Sequence, residues 1–211
     1  GHGSALLYAT LFMAGFDIPF DEIKKFRTLD SLTPGHPEYG VTKGVDVTTG
    51  PLGEGFATSV GMAISECYLR QYFGKDIINH YTYVLCGDGD LMEGVSYEAS
   101  SIAGNLELNK LIVLYDSNNV TLDGALKTSF DENIKERFES MNWNYILVSD
   151  SEDLDGINDA IEKAKSDTND KPTLIEIKTT IGKYSKNQGT SLVHGSPLDE
   201  EDIVSIKTTL G

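Results

Sequence analysis

The sequence predicts an α/β protein whose parallel sheet carries helices on both faces, a doubly wound arrangement. Short apolar runs alternate with longer segments of helical periodicity. The runs over 81–86 and 111–115 are almost continuously apolar, which is typical of parallel strands covered on both faces. Their separation of about 30 residues is that of one strand–helix–strand unit. Strands that alternate with helices of this length predict a parallel sheet covered on both faces.

The first part of the chain predicts helices around a long loop. Apolar residues recur at helical spacing over 6–14, and Gly15 ends the pattern. An acidic-to-basic segment over 21–27 predicts a second, short helix. Residues 28–53 lack periodicity and contain several prolines and glycines, which predicts a long loop. Loops of this length in compact domains are usually either functional or disordered. An apolar helix with small residues on one side follows over 54–73.

The second part alternates strands with helices. Between the two apolar strands, a helix is expected over about 93–104. Aspartates, which are good helix caps, begin the next two predicted helices at Asp131 and Asp153. The remaining predictions, in chain order, are helix 131–141, strand 144–148, helix 153–165, strand 173–178, a Gly/Ser/Asn-rich loop over 182–197, and a closing helix from Asp199.

Composition narrows the class of protein. The 211 residues suffice for one domain over 1–211, and the formal net charge of −16 argues against a nucleic-acid partner. No apolar run approaches the length of a membrane span, so no membrane partner is expected. Cys67 and Cys86 both lie in apolar patterns, which predicts buried thiols and a cytoplasmic protein rather than a disulfide framework. The chain begins at Gly1 directly ahead of a helix, which suggests a domain incomplete at its N-terminus.

Oxygen-bearing side chains follow both apolar strands. The first strand leads into Gly87-Asp88-Gly89-Asp90 and the second into Asp116-Ser117-Asn118-Asn119. Parallel strands deliver their carboxyl ends to one sheet edge, and a carboxylate with an amide oxygen suits Mg²⁺ bound to a diphosphate. The structural alternative for Asp88 is a helix N-cap. An EF-hand fits poorly because Met92 and Glu93 stand where an oxygen ligand and a glycine are required.

Three histidines lie in Gly- or Pro-rich segments: His2, His36 and His194. Each is either a structural histidine or a donor to phosphate and a proton carrier near neutral pH. The fourth, His80, precedes a strand and is assigned no role. The Gly-rich segment 48–55 is neither a P-loop nor a dinucleotide fingerprint. It is either a tight turn at a helix start or a place where a flat cofactor approaches the backbone.

An ordered series of motifs resembles the diphosphate-binding domain of transketolases. The series begins with Gly1-His2 and includes Pro34-Gly35-His36-Pro37-Glu38, Thr49-Gly50-Pro51-Leu52-Gly53, Gly87-Asp88-Gly89, Tyr115-Asp116 with Asn118, and Val193-His194-Gly195-Ser196-Pro197-Leu198. The resemblance covers essentially the whole chain and implies the thiamine diphosphate-binding fold. One departure is Lys183-Tyr184-Ser185-Lys186, where the family usually has Tyr-Gly-Ser-Pro after Ile-Gly.

The resemblance also implies the residues of the site. Mg²⁺, or Ca²⁺ or Mn²⁺ in its place, would be bound by the side chains of Asp88 and Asn118 and by the Val120 carbonyl. The histidines implied to be catalytic are His2, His36 and His194, of which His36 would hydrogen-bond the donor ketose. The implied cofactor-binding residues are Gly1, His2, Gly50, Leu52, Gly89, Glu93, Asn118, Leu122 and His194. Glu93 and Glu98 would lie near a partner subunit; otherwise they are ordinary surface glutamates.

The implied activity is transfer of a two-carbon glycolaldehyde unit from a ketose phosphate to an aldose phosphate, as in the pentose phosphate pathway. Family members also contain a segment before Gly1 with another histidine, a pyrimidine-binding domain and a C-terminal domain. The chain is therefore expected to be inactive alone and to act as a homodimer or with a pyrimidine-domain polypeptide. Alternatives are a sister enzyme (dihydroxyacetone synthase or 1-deoxyxylulose-5-phosphate synthase), a non-catalytic ligand-binding or dimerisation module, and, less favoured, a Mg²⁺-dependent phosphohydrolase using Asp90.

Overall fold

The computed structural model describes residues 1–122 and 124–211. They divide into two compact units, Gly1–Gly55 and Phe56–Gly211, which are taken separately below. The expectation of one domain over 1–211 stays a prediction. Within the described residues, no helix is long and apolar enough to cross a membrane.

The first unit consists of two helices and a long loop. Helix α1 (Ser4–Met13) confirms the helix predicted from the apolar spacing. Helix α2 (Phe20–Ile23) is shorter than the predicted 21–27, because Arg27 turns into the left-handed region (φ 63°) and donates its N–H to the Thr33 carbonyl at 3.0 Å. Beyond that turn the chain follows the predicted loop, which has no helix or strand up to residue 53.

Hydrogen bonds hold this loop against α1 although it lacks regular structure. The Ser4 hydroxyl donates to the Gly35 carbonyl at 2.8 Å, and the buried Tyr8 hydroxyl donates to the Pro34 carbonyl at 2.9 Å. Burial of Tyr8 with Leu11 provides the local core. The Pro-Gly-His segment is therefore fixed by the helix that follows Gly1.

The second unit is built on a four-stranded parallel sheet. Its strands follow the order β1-β2-β6-β5, and a separate two-stranded ladder joins β3 to β4. Gly87 pairs with Asp116 and Ser117 with Lys178, so the carboxyl ends of three neighbouring strands are level at one edge. The strands in chain order are β1 (Thr82–Gly87), β2 (Leu111–Ser117), β3 (Val120–Thr121), β4 (Gly124–Ala125), β5 (Asn144–Val148) and β6 (Thr173–Lys178).

The helices mostly match the predicted segments. One unpredicted short helix follows β1, and α6 begins after Asn133 rather than at Asp131, because the Asn133 side chain accepts the Glu136 N–H at 3.2 Å. Asp153 and Asp199 cap their helices. The helices are α3 (Glu54–Phe73), α4 (Asp88–Met92), α5 (Gly94–Asn105), α6 (Ile134–Ser140), α7 (Leu154–Ser166) and α8 (Glu200–Leu210).

Helices cover both faces of the sheet, as predicted. On one face, Phe56 of α3 and Phe138 of α6 pack with Trp143 against the odd-numbered residues of β2. On the other face, Ile112 and its neighbours pack against α7. The alternation follows from the two-residue period of a strand. The second face is incompletely covered over β1, where the side chain of Leu85 is 58% exposed.

Candidate functional site

Asp88 stands where β1 ends and α4 begins. Asp88 is buried, with only 3% of its surface exposed to solvent. The N-cap position belongs to Gly87, whose N–H is accepted by the Asp90 carboxylate at 2.9 Å. Asp88 therefore does not cap the helix, and the structural alternative considered from the sequence is wrong. Its carboxylate instead accepts hydrogen bonds from residues at the end of β2.

The Asp88 carboxylate is held by residues at the end of β2. One oxygen, Oδ2, accepts hydrogen bonds from the N–H groups of Asn118 (3.1 Å) and Asn119 (2.8 Å), and the other, Oδ1, accepts a hydrogen bond from the Tyr115 hydroxyl. Two consecutive N–H groups can converge on one oxygen because Asn119 adopts the left-handed conformation (φ 61°), which asparagine tolerates. The loop after β2 thus wraps around the carboxylate at the end of β1.

Asn118 and Val120 lie beside Asp88. The Asn118 side-chain oxygen accepts the Val120 N–H at 2.9 Å, and its nitrogen donates to the Asp116 carboxylate at 3.4 Å. Val120 is buried at the start of β3. The structure therefore brings the predicted metal ligands Asp88, Asn118 and Val120 into one local hydrogen-bonded arrangement.

Negative charge is concentrated at this edge. Burial raises the pKa of the Cys86 thiol well above its usual value, and Asp90, Asp116 and Asp88 act in the same direction. Burial also raises the pKa of Asp88, although the hydrogen bonds from Tyr115 and the two asparagine N–H groups oppose the shift. A buried carboxylate among others is stabilised by a cation.

The available ligands suit a hard divalent cation. Within residues 1–122 and 124–211, no group of three or more His, Cys, Asp or Glu side chains could hold a metal. A site at Asp88 would therefore need the Asn118 amide oxygen and the Val120 carbonyl. These are uncharged oxygen ligands of the kind that Mg²⁺ and Ca²⁺ accept alongside carboxylates and water.

The loop that carries His194 contains several residues in the left-handed region, among them Gly182 and Tyr184. Gly182 has φ 60°, and a Cβ there would lie 2.6 Å from the Val193 side chain. Tyr184 has φ 68° at the position where the family pattern has glycine. Its hydroxyl bonds the Glu152 carboxylate, and Lys183 forms an ion pair with the same carboxylate at 2.8 Å. These contacts fix a non-glycine residue in a conformation that costs about 1 kcal/mol or more.

His194 follows a short 3₁₀ turn over Ser191–Val193. Its backbone N–H donates to the Ser191 carbonyl at 3.1 Å, and the residue is partly buried. The histidine is thus part of a folded turn, and Val193 of this turn packs closely against Gly182.

The first unit gathers a separate set of predicted residues. The rings of His2 and His36 are 5.3 Å apart between centroids. A Cβ on Gly1 would lie 2.8 Å from the Gly50 backbone, and a Cβ on Gly50 would lie 3.4 Å from the His36 ring. Gly1 can therefore not be enlarged without moving the backbone at Gly50. Leu52 follows in the same loop and is partly buried.

Other predicted residues lie on the surface of the second unit. Glu93 and Glu98 are exposed, at the start of α5 and within it, and Leu122 is 68% exposed. Gly89 is the second residue of α4, next to Asp88. None of these has a described contact that assigns it a role, so their functions stay predictions.

A buried polar cluster next to the site was missed by the sequence reasoning. Glu176 is 6% exposed and accepts hydrogen bonds from Ser117 (2.8 Å), Tyr145 (2.5 Å) and Lys178. Together with Tyr115, these residues line a cavity of about 540 Å³. The available signal was a glutamate in an otherwise apolar strand, which needs a partner when the strand is buried.

Comparisons with known proteins agree with the resemblance that the motifs indicate. The family model for the transketolase thiamine diphosphate-binding domain matches residues 1–211. The chain belongs to the transketolase family. This result confirms the resemblance, and the fold is confirmed by a transketolase structure from Leishmania mexicana with a TM-score of 0.96 and 51% identity, covering 99% of this chain and 32% of that one.

Curated relatives extend this comparison. The transketolase of Bacillus subtilis is 56% identical over 206 residues, which is 96% of this chain and 31% of the relative. A transketolase structure from Pichia stipitis, in complex with sedoheptulose-7-phosphate, has a TM-score of 0.95 and 46% identity, with 99% of this chain and 31% of that chain covered. The chain thus spans about a third of the length of the transketolases it matches.

Proposed function

We propose that this chain provides the thiamine diphosphate- and Mg²⁺-binding part of a transketolase. That enzyme would transfer a two-carbon glycolaldehyde unit from a ketose phosphate to an aldose phosphate, in the cytoplasm and within the pentose phosphate pathway. The observation that carries the proposal is the buried Asp88 carboxylate, held beside Asn118 at the end of two parallel strands in a chain matched by the thiamine diphosphate-binding family model.

The cation would be Mg²⁺, with Ca²⁺ or Mn²⁺ able to replace it. Asp88 contributes the charge, and the Asn118 amide oxygen and Val120 carbonyl contribute neutral oxygens. The cluster of carboxylates at Asp88, Asp90 and Asp116 supports this proposal, because it leaves an excess of negative charge that a divalent cation would balance. The cation in turn would neutralise the diphosphate in a chain whose formal charge is −16.

Thiamine diphosphate, when bound, supplies the carbon nucleophile for breaking and forming carbon–carbon bonds. The chain's own glycines at positions 1, 50 and 89 would admit it close to the backbone. His2 and His194 would donate to its diphosphate oxygens. Leu52 and Leu122 would contact its rings, and Glu93 would lie toward a partner subunit.

Histidines would also handle the protons of the reaction. His36 would hydrogen-bond the donor ketose, and the three site histidines would give and take protons at substrate hydroxyls near neutral pH. The 5.3 Å separation of the His2 and His36 rings supports their action on one small region of substrate. Ketose phosphates as substrates are supported by the Pichia stipitis complexes with sedoheptulose-7-phosphate and fructose-6-phosphate.

The chain spans about a third of its relatives, so we expect it to need a partner for activity. The partner would be a second subunit or a polypeptide carrying the pyrimidine-binding domain. The names of the relatives favour transketolase over the sister enzymes. Mixing the chain with a complementary pyrimidine-domain polypeptide should restore ketol transfer; a stable complex without transfer would instead support a binding module.

Calorimetric titration of thiamine diphosphate into the chain tests the cofactor site. We expect binding with Mg²⁺ that disappears with excess chelator. Asp88→Ala should weaken binding by at least about 100-fold, because it removes a metal ligand rather than an outer partner. Asp159→Ala, the same change at an exposed position of α7, should leave the affinity unchanged. Binding that is indifferent to chelator or to Asp88→Ala would refute the proposed site.

A further inference from the structure

A line of polar side chains runs across the parallel sheet, from the residue after β1 to β2, β6 and β5. Asp88 follows β1, Tyr115 and Ser117 lie on β2, Glu176 lies on β6, and Tyr145 lies on β5. Tyr115 donates to Asp88, while Ser117 and Tyr145 both donate to Glu176. Tyr115 and Ser117 are two residues apart, so they face the same side of the sheet.

The two halves of this line meet between Tyr115 and Ser117. Both residues lie on β2 and line the same cavity, and the Ser117 side chain opposes the rise in the Tyr115 pKa that burial and the Asp88 carboxylate cause. Ser117 is 2% exposed and Tyr115 is 2% exposed. The buried phenol thus donates a hydrogen bond to the Asp88 carboxylate, and the Ser117 hydroxyl, on the same face of β2, is held by Glu176 of the next strand.

Counting acceptor sites on Asp88 shows what Tyr115 controls. An ionised carboxylate has about four lone-pair sites, two on each oxygen. Oδ2 already accepts two N–H groups, from Asn118 and Asn119. Among the described residues, the bond that Oδ1 accepts is the one from the Tyr115 hydroxyl, which leaves a lone pair on Oδ1 for a cation. The Tyr115 hydroxyl therefore occupies the other lone-pair position on the same oxygen.

The rest of the cluster holds Tyr115 without adding net charge at the site. Lys178 forms an ion pair with Glu176 and also donates to the Ser117 hydroxyl at 2.9 Å. The Glu176 carboxylate is therefore balanced by the neighbouring ammonium. This arrangement gives Ser117 a fixed position, which in turn fixes one side of the Tyr115 phenol.

We infer that Tyr115 is a positioning residue for the cation, orienting the free lone pair on Asp88 Oδ1, and that the Ser117–Glu176–Lys178–Tyr145 cluster supports it from the neighbouring strands. The inference rests on the proposed cation site. It assigns the metal-binding role of Asp88 to one of its two oxygens. It also gives a role in metal affinity to residues that do not themselves bind the metal.

Tyr115→Phe removes the hydroxyl and keeps the buried ring. In the metal-free chain, the amide ¹H and ¹⁵N resonances of Asn118 and Asn119 should shift, because both N–H groups report the position of the Asp88 carboxylate. In calorimetric titrations with thiamine diphosphate, the affinity for Mg²⁺ should fall by about 10-fold, the effect typical of losing an outer hydrogen-bond partner of a ligand.

Two further variants complete the experiment. Glu176→Gln should weaken Mg²⁺ binding in the same direction by about 3-fold, since it acts through Tyr115 and lies further from the cation than the partners that cost 10-fold. Tyr81→Phe is the matched control: its hydroxyl donates to the Lys165 carbonyl at 3.1 Å, away from Asp88. It should leave both the affinity and the two asparagine resonances unchanged.

The outcomes separate this inference from the proposed function. If the unmodified chain binds Mg²⁺ with thiamine diphosphate but Tyr115→Phe binds equally well, the inference fails and the proposed site stands. Absence of Mg²⁺-dependent binding by the unmodified chain would overturn both. A purely structural role of Tyr115 would lower the free energy of unfolding in urea while leaving the Mg²⁺ affinity and the Asn118 and Asn119 resonances in place, which also refutes the inference.

Discussion

Replacing Glu176 by glutamine tests whether the buried cluster stabilises the fold. The carboxylate accepts three side-chain donors while almost fully buried. Glutamine keeps the size of the side chain but has one acceptor oxygen. The oxygen can keep Ser117 and Lys178, and the new NH₂ group can donate to the Tyr145 hydroxyl. The change therefore removes charge without opening a cavity.

The magnitude follows from the number and kind of hydrogen bonds. A bond to a charged group contributes about 1.5–3 kcal/mol and a neutral one about 0.5–1.5 kcal/mol, so the two bonds with Ser117 and Tyr145 would lose about 2–3 kcal/mol, to which the lost ion pair with Lys178 adds. The loss is reduced because Lys178 is 43% exposed and because a buried charge no longer has to be desolvated. We expect the free energy of unfolding to fall by about 2 kcal/mol at pH 7, or about 4–8 °C in Tm.

The effect depends on pH in a defined direction. Burial tends to raise the pKa of Glu176, but the hydrogen bonds from Lys178, Tyr145 and Ser117 outweigh it and hold the pKa below its ordinary value of 4.5. The charged form is thus favoured in the folded state. Its contribution to stability is present above pH 4.5 and is lost as the pH falls through the folded-state pKa. The difference between Glu176→Gln and the unmodified chain should shrink in that window.

Urea denaturation from pH 7 to pH 3.5 measures both quantities. The single tryptophan of the chain, Trp143, is buried and reports unfolding by its fluorescence. Glu162→Gln is the control, since it removes the same charge from an exposed ion pair with Lys165 (2.6 Å) and should change little. Equal stability of Glu176→Gln and the unmodified chain at pH 7, or a difference that grows on acidification, would refute the reasoning.

Three glycine substitutions extend these tests. Gly104→Ala places a Cβ 1.7 Å from the Met141 carbonyl oxygen, so the free energy of unfolding in urea should fall by about 2 kcal/mol. A Cβ on Gly61 would meet no other side chain or loop atom of the described residues within 4 Å, so Gly61→Ala should raise the free energy of unfolding by about 1 kcal/mol. Gly182→Ala combines φ 60° with a Cβ 2.6 Å from Val193, so it should displace the turn before the site histidine and weaken thiamine diphosphate binding about 10-fold in calorimetry. Unchanged values for Gly104→Ala or for Gly182→Ala would contradict these close contacts.

The long elements were predictable because their periodicity reports burial directly. The bounds of α3, β5 and β6 agree with the sequence prediction. Shorter elements depended on tertiary contacts. Helix α4 forms over a segment rich in glycine and aspartate, and its first turn is closed by the Asp90 carboxylate on the Gly87 N–H.

The start of α6 shows how two good caps compete. Asp131 and Asn133 are both residues that begin helices well. In the structure the Asn133 side chain accepts the Glu136 N–H, while Asp131 lies in the preceding loop and approaches Lys127 at 3.9 Å. The sequence places a helix start here but does not decide between caps two residues apart, because the choice depends on how the loop from β4 enters the helix.

The site residues that the sequence predicts follow neighbouring strands, whereas the residues that it does not predict depend on the order of all the strands. Asp88 and Asn118 follow consecutive parallel strands, so their proximity requires only that β1 and β2 are neighbours. The Tyr115–Glu176 cluster requires β6 to lie between β2 and β5, and this order cannot be read from alternating apolar runs. If the cluster determines the Mg²⁺ affinity as inferred, then that affinity depends on the order of the strands. With any other strand beside β2, Ser117 would lose its hydrogen bond to Glu176, and Tyr115 would lose the support of the cluster.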